Sequence, residues 1–446
     1  MKTTRKRRNN PPDLLFLCLN AKSSVMKRIA LLLLPALAAA CGPGSHLSES
    51  PETTDASDGP VTPPVETVTP LSRVELTDAE KARVESGNVF AFKLLQKVYA
   101  EQQASVVLSP LSVQYALGMV NNGASGETEQ QISAVLGQEG RADLNAFCRH
   151  LLSDLPRVDT TVTLSIANGI LLNNDYTMKP AFQQAVEENY DALVEAMPFA
   201  NPNAVVSRVN GWCSEKTRGK IPQILSDVSP DAILFALNAI YFKGSWRDAF
   251  NAKYTREQDF RTAGGGTTPV QMMHREGKFS YGENDHFQRL ALPYGNGRFA
   301  MEVFLPKGDL AECLEYMKNT PWSELKKGSY PEVIVSFPRF KTETFLNLNK
   351  ILSALGMPRA FTDGAQFFDL VENDAAKISR VLHKALIEVE ETGTEAAAVT
   401  AVEMVRLTAI PDPPKPKYFT ADHPFVYVIT ERSSGAILFT GVFTGE

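Results

Sequence analysis

Residues 237–246 read Leu-Asn-Ala-Ile-Tyr-Phe-Lys-Gly-Ser-Trp. They close a run from Ala232 to Phe242 in which Asn238 is the one strongly polar side chain. An amphipathic helix would show polar residues with a period near 3.6, and a half-exposed strand would show them at every second position. This run does neither, so it is expected to be a strand buried on both faces, inside a sheet. Other strands are needed to flank it. Val162–Leu172 alternates and then turns continuously apolar, and Val333–Phe340, Leu386–Glu390, His423–Glu431 and Ala436–Phe443 read as further strands. Leu290–Pro306 reads as a hairpin with Asn296-Gly297 in its turn.

The first third is richer in helix signals. Thr77-x-x-Glu80 forms a capping box ahead of Phe90, Leu94, Leu95 and Val98 at helical spacing. Val106-Val107-Leu108 is a short apolar strand. Ser109 follows as N-cap, with Pro110 at the first helical position, and Leu117 and Val120 lie on one face. Glu127–Leu136 is a helix stopped at Gly137, and Pro180 opens another through Phe182, Ala185 and Tyr190. Helices early and strands late imply an α+β fold with large, mainly antiparallel sheets.

The 446 residues carry a formal charge of -6, which gives no electrostatic bias toward nucleic acid. Cys148, Cys213 and Cys313 are too far apart for a zinc or disulfide pattern and read as small core residues. The N-terminus reads as an address. Met26-Lys27-Arg28 precedes an apolar run, Ile29–Ala40, too short to span a bilayer, and the run ends Ala-Ala-Ala-Cys41. Small residues before a single cysteine resemble the lipobox of bacterial lipoproteins, in which the cysteine is acylated after cleavage. The alternative is a plain signal peptide cut near Ala40. The expected organisation is an extension from an upstream start over 1–25, a signal peptide over 26–40, and a lipidated Cys41 with a disordered tether over 41–72. One domain then fills 73–446. The tether, rich in Pro, Ser, Thr, Asp and Glu, cannot bury enough apolar surface to fold.

Catalytic signatures are absent from the sequence. It has no G-x-S-x-G, H-E-x-x-H or Walker loop. Gly295-x-Gly297-x-x-Ala300 matches a dinucleotide fingerprint in letters only, since it sits in a hairpin turn where such a loop must open a helix. Cys148-x-His150 lacks a second pair and reads as an accident of a helix surface; His274 and His286 have no evident partners. No metal and no cofactor are expected.

One stretch fits none of these elements. Residues 390–401 read Glu-Glu-Thr-Gly-Thr-Glu-Ala-Ala-Ala-Val-Thr-Ala. They are too Ala-rich for an ordinary strand, and Thr and Val interrupt a helix. Thr394, Ala396, Ala398, Thr400 and Val402 form one alternating set of small residues. Glu395, Ala397, Val399 and Ala401 form the other. No proline intervenes before Pro411.

The ordered motifs resemble those of the serpins over essentially all of 73–446. They run Ser109-Pro110-x-Ser112, Gly123-Ala124-x-Gly126-x-Thr128, Ala167-Asn168, Val209-Asn210-x-Trp212 and Thr217-x-Gly219-Lys220-Ile221. Leu237 to Trp246, Leu292-Pro293-Tyr294, Phe337-Pro338-x-Phe340 and Ala421-Asp422-His423-Pro424-Phe425 follow. The resemblance implies a serpin fold with an exposed reactive centre loop over about 391–417. A target protease cuts that loop, becomes acylated, and is trapped as the loop's hinge inserts into the main sheet.

On that resemblance the hinge comprises Glu391, Gly393, Thr394, Glu395, Ala396, Ala397, Ala398, Val399 and Thr400. Gly393 allows the turn at the insertion point. Counting onward from Glu391 places the scissile bond at Leu407-Thr408, with Arg406 and Met404 as alternative baits because the segment from Gly393 to Pro424 is a few residues longer than in common members of the family. Ser109, Ser112, Asn238 and His383 are implied as the polar cluster beneath the sheet's centre. Trp246, Arg339 and Glu391 are implied near the entry point, the last two as an ion pair. The implied partner is a serine protease, with cysteine proteases as a second class, in a covalent 1:1 complex. Nucleic acid is not an expected partner. The protein is expected to be a monomer held at a bacterial envelope through Cys41 or released outside the cell, and to have no catalytic residues of its own. The rivals are a non-inhibitory serpin that binds or carries, and a hydrolase on an unrelated α+β fold.

Overall fold

A computed structural model describes residues 70–137, 140–372, 376–394 and 415–445. Cys41, Glu395 to Thr400, Met404, Arg406, Leu407 and Thr408 lie outside these, as do the signal and tether segments.

Three sheets are wrapped by helices, giving the α+β class. Among the described residues the main sheet has six strands in the order Phe340–Asn347, Ile378–Glu390, Gly393–Thr394, Leu234–Ser245, Thr163–Asn173 and Ala192–Met197. The second also has six: Val106–Leu108, Ile437–Phe443, Phe425–Glu431, Phe299–Pro306, Phe287–Pro293 and Ser280–Glu283. The third orders Lys417–Thr420, Glu332–Pro338, Thr267–Lys278 and Arg256–Arg261. The strand read first from sequence, Leu234–Ser245, sits inside the main sheet and is buried from Leu234 to Phe242. Both its faces are covered, which is why its sequence does not alternate.

One strand reading needs revision. Val333–Phe340 is not one strand. Its pairing in the four-stranded sheet runs to Pro338 opposite Met272, the Arg339 amide still donates to the Gln271 carbonyl at 2.8 Å, and Phe340 begins a strand of the main sheet. Arg339 is the hinge between two sheets. The burial of the helix Pro110–Asn121 goes beyond the face marked by Leu117 and Val120: every residue in it is buried, because it threads the space between the main and second sheets, packing on Leu234–Ser245 and Ile437–Phe443. Ser109 caps it as the sequence indicates, accepting from Ser112 N at 3.3 Å.

Several elements were not read from sequence. Among them are the helices Arg141–Asp154, Pro202–Lys216 and Leu310–Lys318, and the exposed strands Arg256–Arg261 and Thr267–Lys278.

Candidate functional site

The two central strands of the main sheet, Leu234–Ser245 and Ile378–Glu390, are neighbours for part of their length only. They pair in parallel from Ile378 opposite Leu234 to Leu386 opposite Tyr241. Beyond that point they part, and Gly393–Thr394 fills the fork. A parallel crossover of this kind leaves the central seam with the slightly weaker ladder.

A polar row crosses the paired part of the seam. Asn168 stands opposite Asn238, and Asn238 opposite His383. Asn238 Nδ2 donates to Asn168 Oδ1 at 2.8 Å, and Asn168 Nδ2 donates to the Tyr190 carbonyl at 2.8 Å. His383 Nε2 accepts from the Ser109 amide at 3.0 Å, and Ser109 Oγ donates to the Leu438 carbonyl at 2.7 Å. All are buried. The acceptor role fixes His383 as a neutral imidazole, and burial pushes its pKa down to about 4. Ser112 Oγ, Asn238 Oδ1 and His383 Nδ1 have no hydrogen-bond partner among the described residues. Such spare capacity in a buried row is unusual. Asn168 was quoted from sequence as a motif residue and not as a site residue; its place opposite Asn238 is a register fact that sequence alone does not carry.

The open end of the seam holds a second cluster. The Trp246 indole donates to the Glu390 carbonyl at 2.9 Å, and the Trp246 amide donates to the Thr392 carbonyl at 2.9 Å. Its ring stacks on Tyr294 with centroids 4.3 Å apart. Arg339 Nη2 donates to Glu391 Oε1 at 2.5 Å, and Thr255 Oγ1 donates to the same oxygen at 2.7 Å. Burial acts to raise the Glu391 carboxyl pKa, but the bonds from Arg339 and Thr255 outweigh it and hold the pKa below the usual range. Thr394 is buried, with its hydroxyl 2.7 Å from the Tyr294 hydroxyl. Gly393 has φ +146°, and a Cβ there would lie 2.3 Å from the Gly244 carbonyl oxygen. Its lack of a side chain therefore serves close approach within the sheet as well as backbone freedom. The strand closes at Glu390, with Glu391 already in the turn.

The structure brings Ser109, Asn238 and His383 together, and separately Trp246, Arg339 and Glu391. The histidines set aside from sequence have structural partners. His150 bridges Glu80 at 2.7 Å and Asp154 at 3.2 Å, and its neighbour in the motif, Cys148, is buried. His274 bonds Ser336 at 3.0 Å and His286 stacks on Tyr316. Burial pushes the thiols of Cys148, Cys213 and Cys313 up to about 12. Among the described residues no group of three or more His, Cys, Asp or Glu could hold a metal ion.

This arrangement of three sheets and their helices has known counterparts. The family described as Serpin (serine protease inhibitor) matches residues 85–445. The chain belongs to the serpin family. This serpin is 36% identical to human Serpin B8 over 373 residues, covering 81% of this chain and 98% of that one. The solved native structure of a thermophilic serpin, tengpin, superposes with a TM-score of 0.74 at 28% identity, over 84% of this chain and 97% of that one. Human thyroxine-binding globulin in complex with its hormone superposes with a TM-score of 0.74 at 26% identity, over 82% and 98% of the two chains. The same scaffold thus serves proteins that differ in what they bind.

Proposed function

We propose that this serpin is a single-use inhibitor of endopeptidases, foremost serine proteases, that traps the acyl-enzyme by inserting its cleaved loop into the main sheet. The observation that carries this reading is the fork between the central strands with Gly393–Thr394 entering it. The segment from Glu395 onward, with small residues at alternate positions, is what would follow into the seam. Insertion replaces one parallel pairing by two antiparallel ladders. Each added main-chain hydrogen bond contributes about 1 kcal/mol net, so a strand of them drives the change strongly.

In this reading the protease attacks the Leu407-Thr408 bond, with Arg406 or Met404 as alternative baits. Ser109, Ser112, Asn238 and His383 let the seam part and re-form, and Trp246, Arg339 and Glu391 guard its mouth. The chain supplies no catalytic group and acts as a monomer in a covalent 1:1 complex. The sequence of 26–41 supports a signal peptide and acylation at Cys41, and hence a bacterial envelope lipoprotein. The non-inhibitory alternative, in which the protein binds or carries a ligand, has a neighbour of that kind among the solved structures. The small hinge residues favour inhibition over it.

The test is incubation of the full chain with trypsin, a chymotrypsin-like protease, an elastase and subtilisin, followed by denaturing gels. A detergent-stable band at the summed mass is expected, with a released C-terminal peptide whose mass identifies the bait. Clean cleavage by every protease, with no complex and no gain in thermal stability, would overturn the reading.

A further inference from the structure

Thr394 lies at the meeting of two sheets. On the main-sheet side it pairs with Val389 and with Gly244, so both of its neighbours are strands of the seam. Its hydroxyl meets Tyr294, which follows the strand Phe287–Pro293 of the second sheet. Tyr294 is fully buried and has little freedom. Trp246 stacks on one side of its ring, and Phe242 packs edge-on at 5.0 Å. The Tyr294 amide is tied to the Phe299 carbonyl at 2.9 Å, and an isolated bridge joins its backbone to Trp246. A phenol held by two rings and by its own backbone thus presents its hydroxyl at the place where the first inserted side chain arrives.

We propose that Tyr294 is a positioning residue that latches the hinge in a half-entered state, so that the uncut protein rests with insertion already nucleated. This rests on the inhibitory reading above and deepens it. Starting a strand orders several residues before its hydrogen bonds are complete, whereas extending one adds bonds as each residue is fixed. A hinge whose first two residues are in register skips the slow start, and trapping then competes better with hydrolysis of the acyl-enzyme. The bond between the two hydroxyls is buried, so removing either partner leaves the other unsatisfied. Both single losses should therefore release the same latch, and losing both should release it no further.

The test uses the full chain with Tyr294→Phe, Thr394→Val, the double variant, and Thr394→Ser, which keeps the hydroxyl. Amide hydrogen exchange is followed over 386–394 in the uncut protein, with 163–173 as internal reference. The number of inhibitor molecules consumed per protease trapped is measured alongside. Tyr294→Phe and Thr394→Val should each speed exchange at 393–394 by about tenfold and raise that number, while the double variant matches the singles and Thr394→Ser stays near wild type. Unchanged exchange in Tyr294→Phe, or fold-changes that multiply in the double variant, would overturn the latch. Faster exchange with an unchanged number consumed would overturn its role in trapping. If the wild type traps no protease, the inhibitory reading fails, and the exchange pattern still decides whether the hinge is latched.

Discussion

His383 faces Asn238 across the parallel seam of the main sheet, and its Nε2 accepts the amide hydrogen that opens the Ser109 cap. A strand residue and a helix start are thereby joined at the one ladder that insertion must open. The bond requires an unprotonated ring.

That requirement has a pH signature. The His383 pKa is held at about 4 by burial, below its ordinary 6.5. A depressed folded-state pKa means that the unfolded chain takes up the proton first as pH falls. The stabilisation is complete above pH 6.5 and is lost as pH drops from there toward 4. At full effect the loss is about 3 kcal/mol. Urea midpoints measured from pH 7.5 to 4 should fall in that window. His383→Asn should be less stable at pH 7.5 and should lose much of the slope. An unchanged slope in that variant would assign the acid sensitivity elsewhere.

The mouth of the seam makes an asymmetric prediction. Glu391 is 8% exposed at its side chain and Arg339 44% exposed. Arg339→Met leaves a buried carboxylate with Thr255 as its remaining side-chain partner, whereas Glu391→Gln leaves an arginine free to hydrate. The arginine variant should lose more stability, about 1 kcal/mol after allowing for the solvent around Arg339, and the glutamine variant less. Thermal melts of both and of the double variant would show it. Equal losses would mean that the carboxylate is better solvated than its burial implies.

The fold was largely legible where burial and local geometry agree. Leu234–Ser245 shows its place by lacking alternation, and Asn296-Gly297 shows its turn. The polar strands Arg256–Arg261 and Thr267–Lys278 have much exposed surface and carry no clear apolar period, so nothing local marks them. Val333–Phe340 reads as one strand from sequence because a change of sheet at Arg339 is a matter of long-range pairing. The site divides in the same way. The resemblance to the serpins implied Asn238, His383 and Glu391, but the row with Asn168 and the meeting of Thr394 with Tyr294 depend on register between distant strands. No sequence spacing encodes that register.

Thr394 also offers the sharpest separation of being cut from trapping. It is 1% exposed, with Gly244 and Val389 beside it and Tyr294 against its hydroxyl. Thr394→Arg would force a long charged side chain into this buried place, at a cost of several kcal/mol, so the hinge should stay outside the sheet. The substitution lies far along the chain from Leu407, and cleavage itself should persist. Gels should show the cleaved chain without the detergent-stable complex, and cleavage should raise the melting temperature far less than in wild type. A Thr394→Arg protein that still forms the complex in full yield would show that insertion does not pass through this position.

The proposed anchor can be tested apart from the fold. If Cys41 is acylated, the mature protein partitions into the detergent phase of a cloud-point extraction and incorporates labelled palmitate when expressed in a bacterial host. Cys41→Ser removes the acceptor thiol, so label should vanish and the precursor should keep its signal segment. A single acyl chain holds a protein at a membrane weakly and reversibly, whereas two or more chains anchor it stably. Retention of the wild type in washed membranes would therefore report multiple acylation. Trapping of protease by the Cys41→Ser protein should match wild type, because none of the residues at the seam or its mouth lies N-terminal to Ser109. Processing of Cys41→Ser near Ala40, with full release of a soluble product, would favour the plain signal peptide.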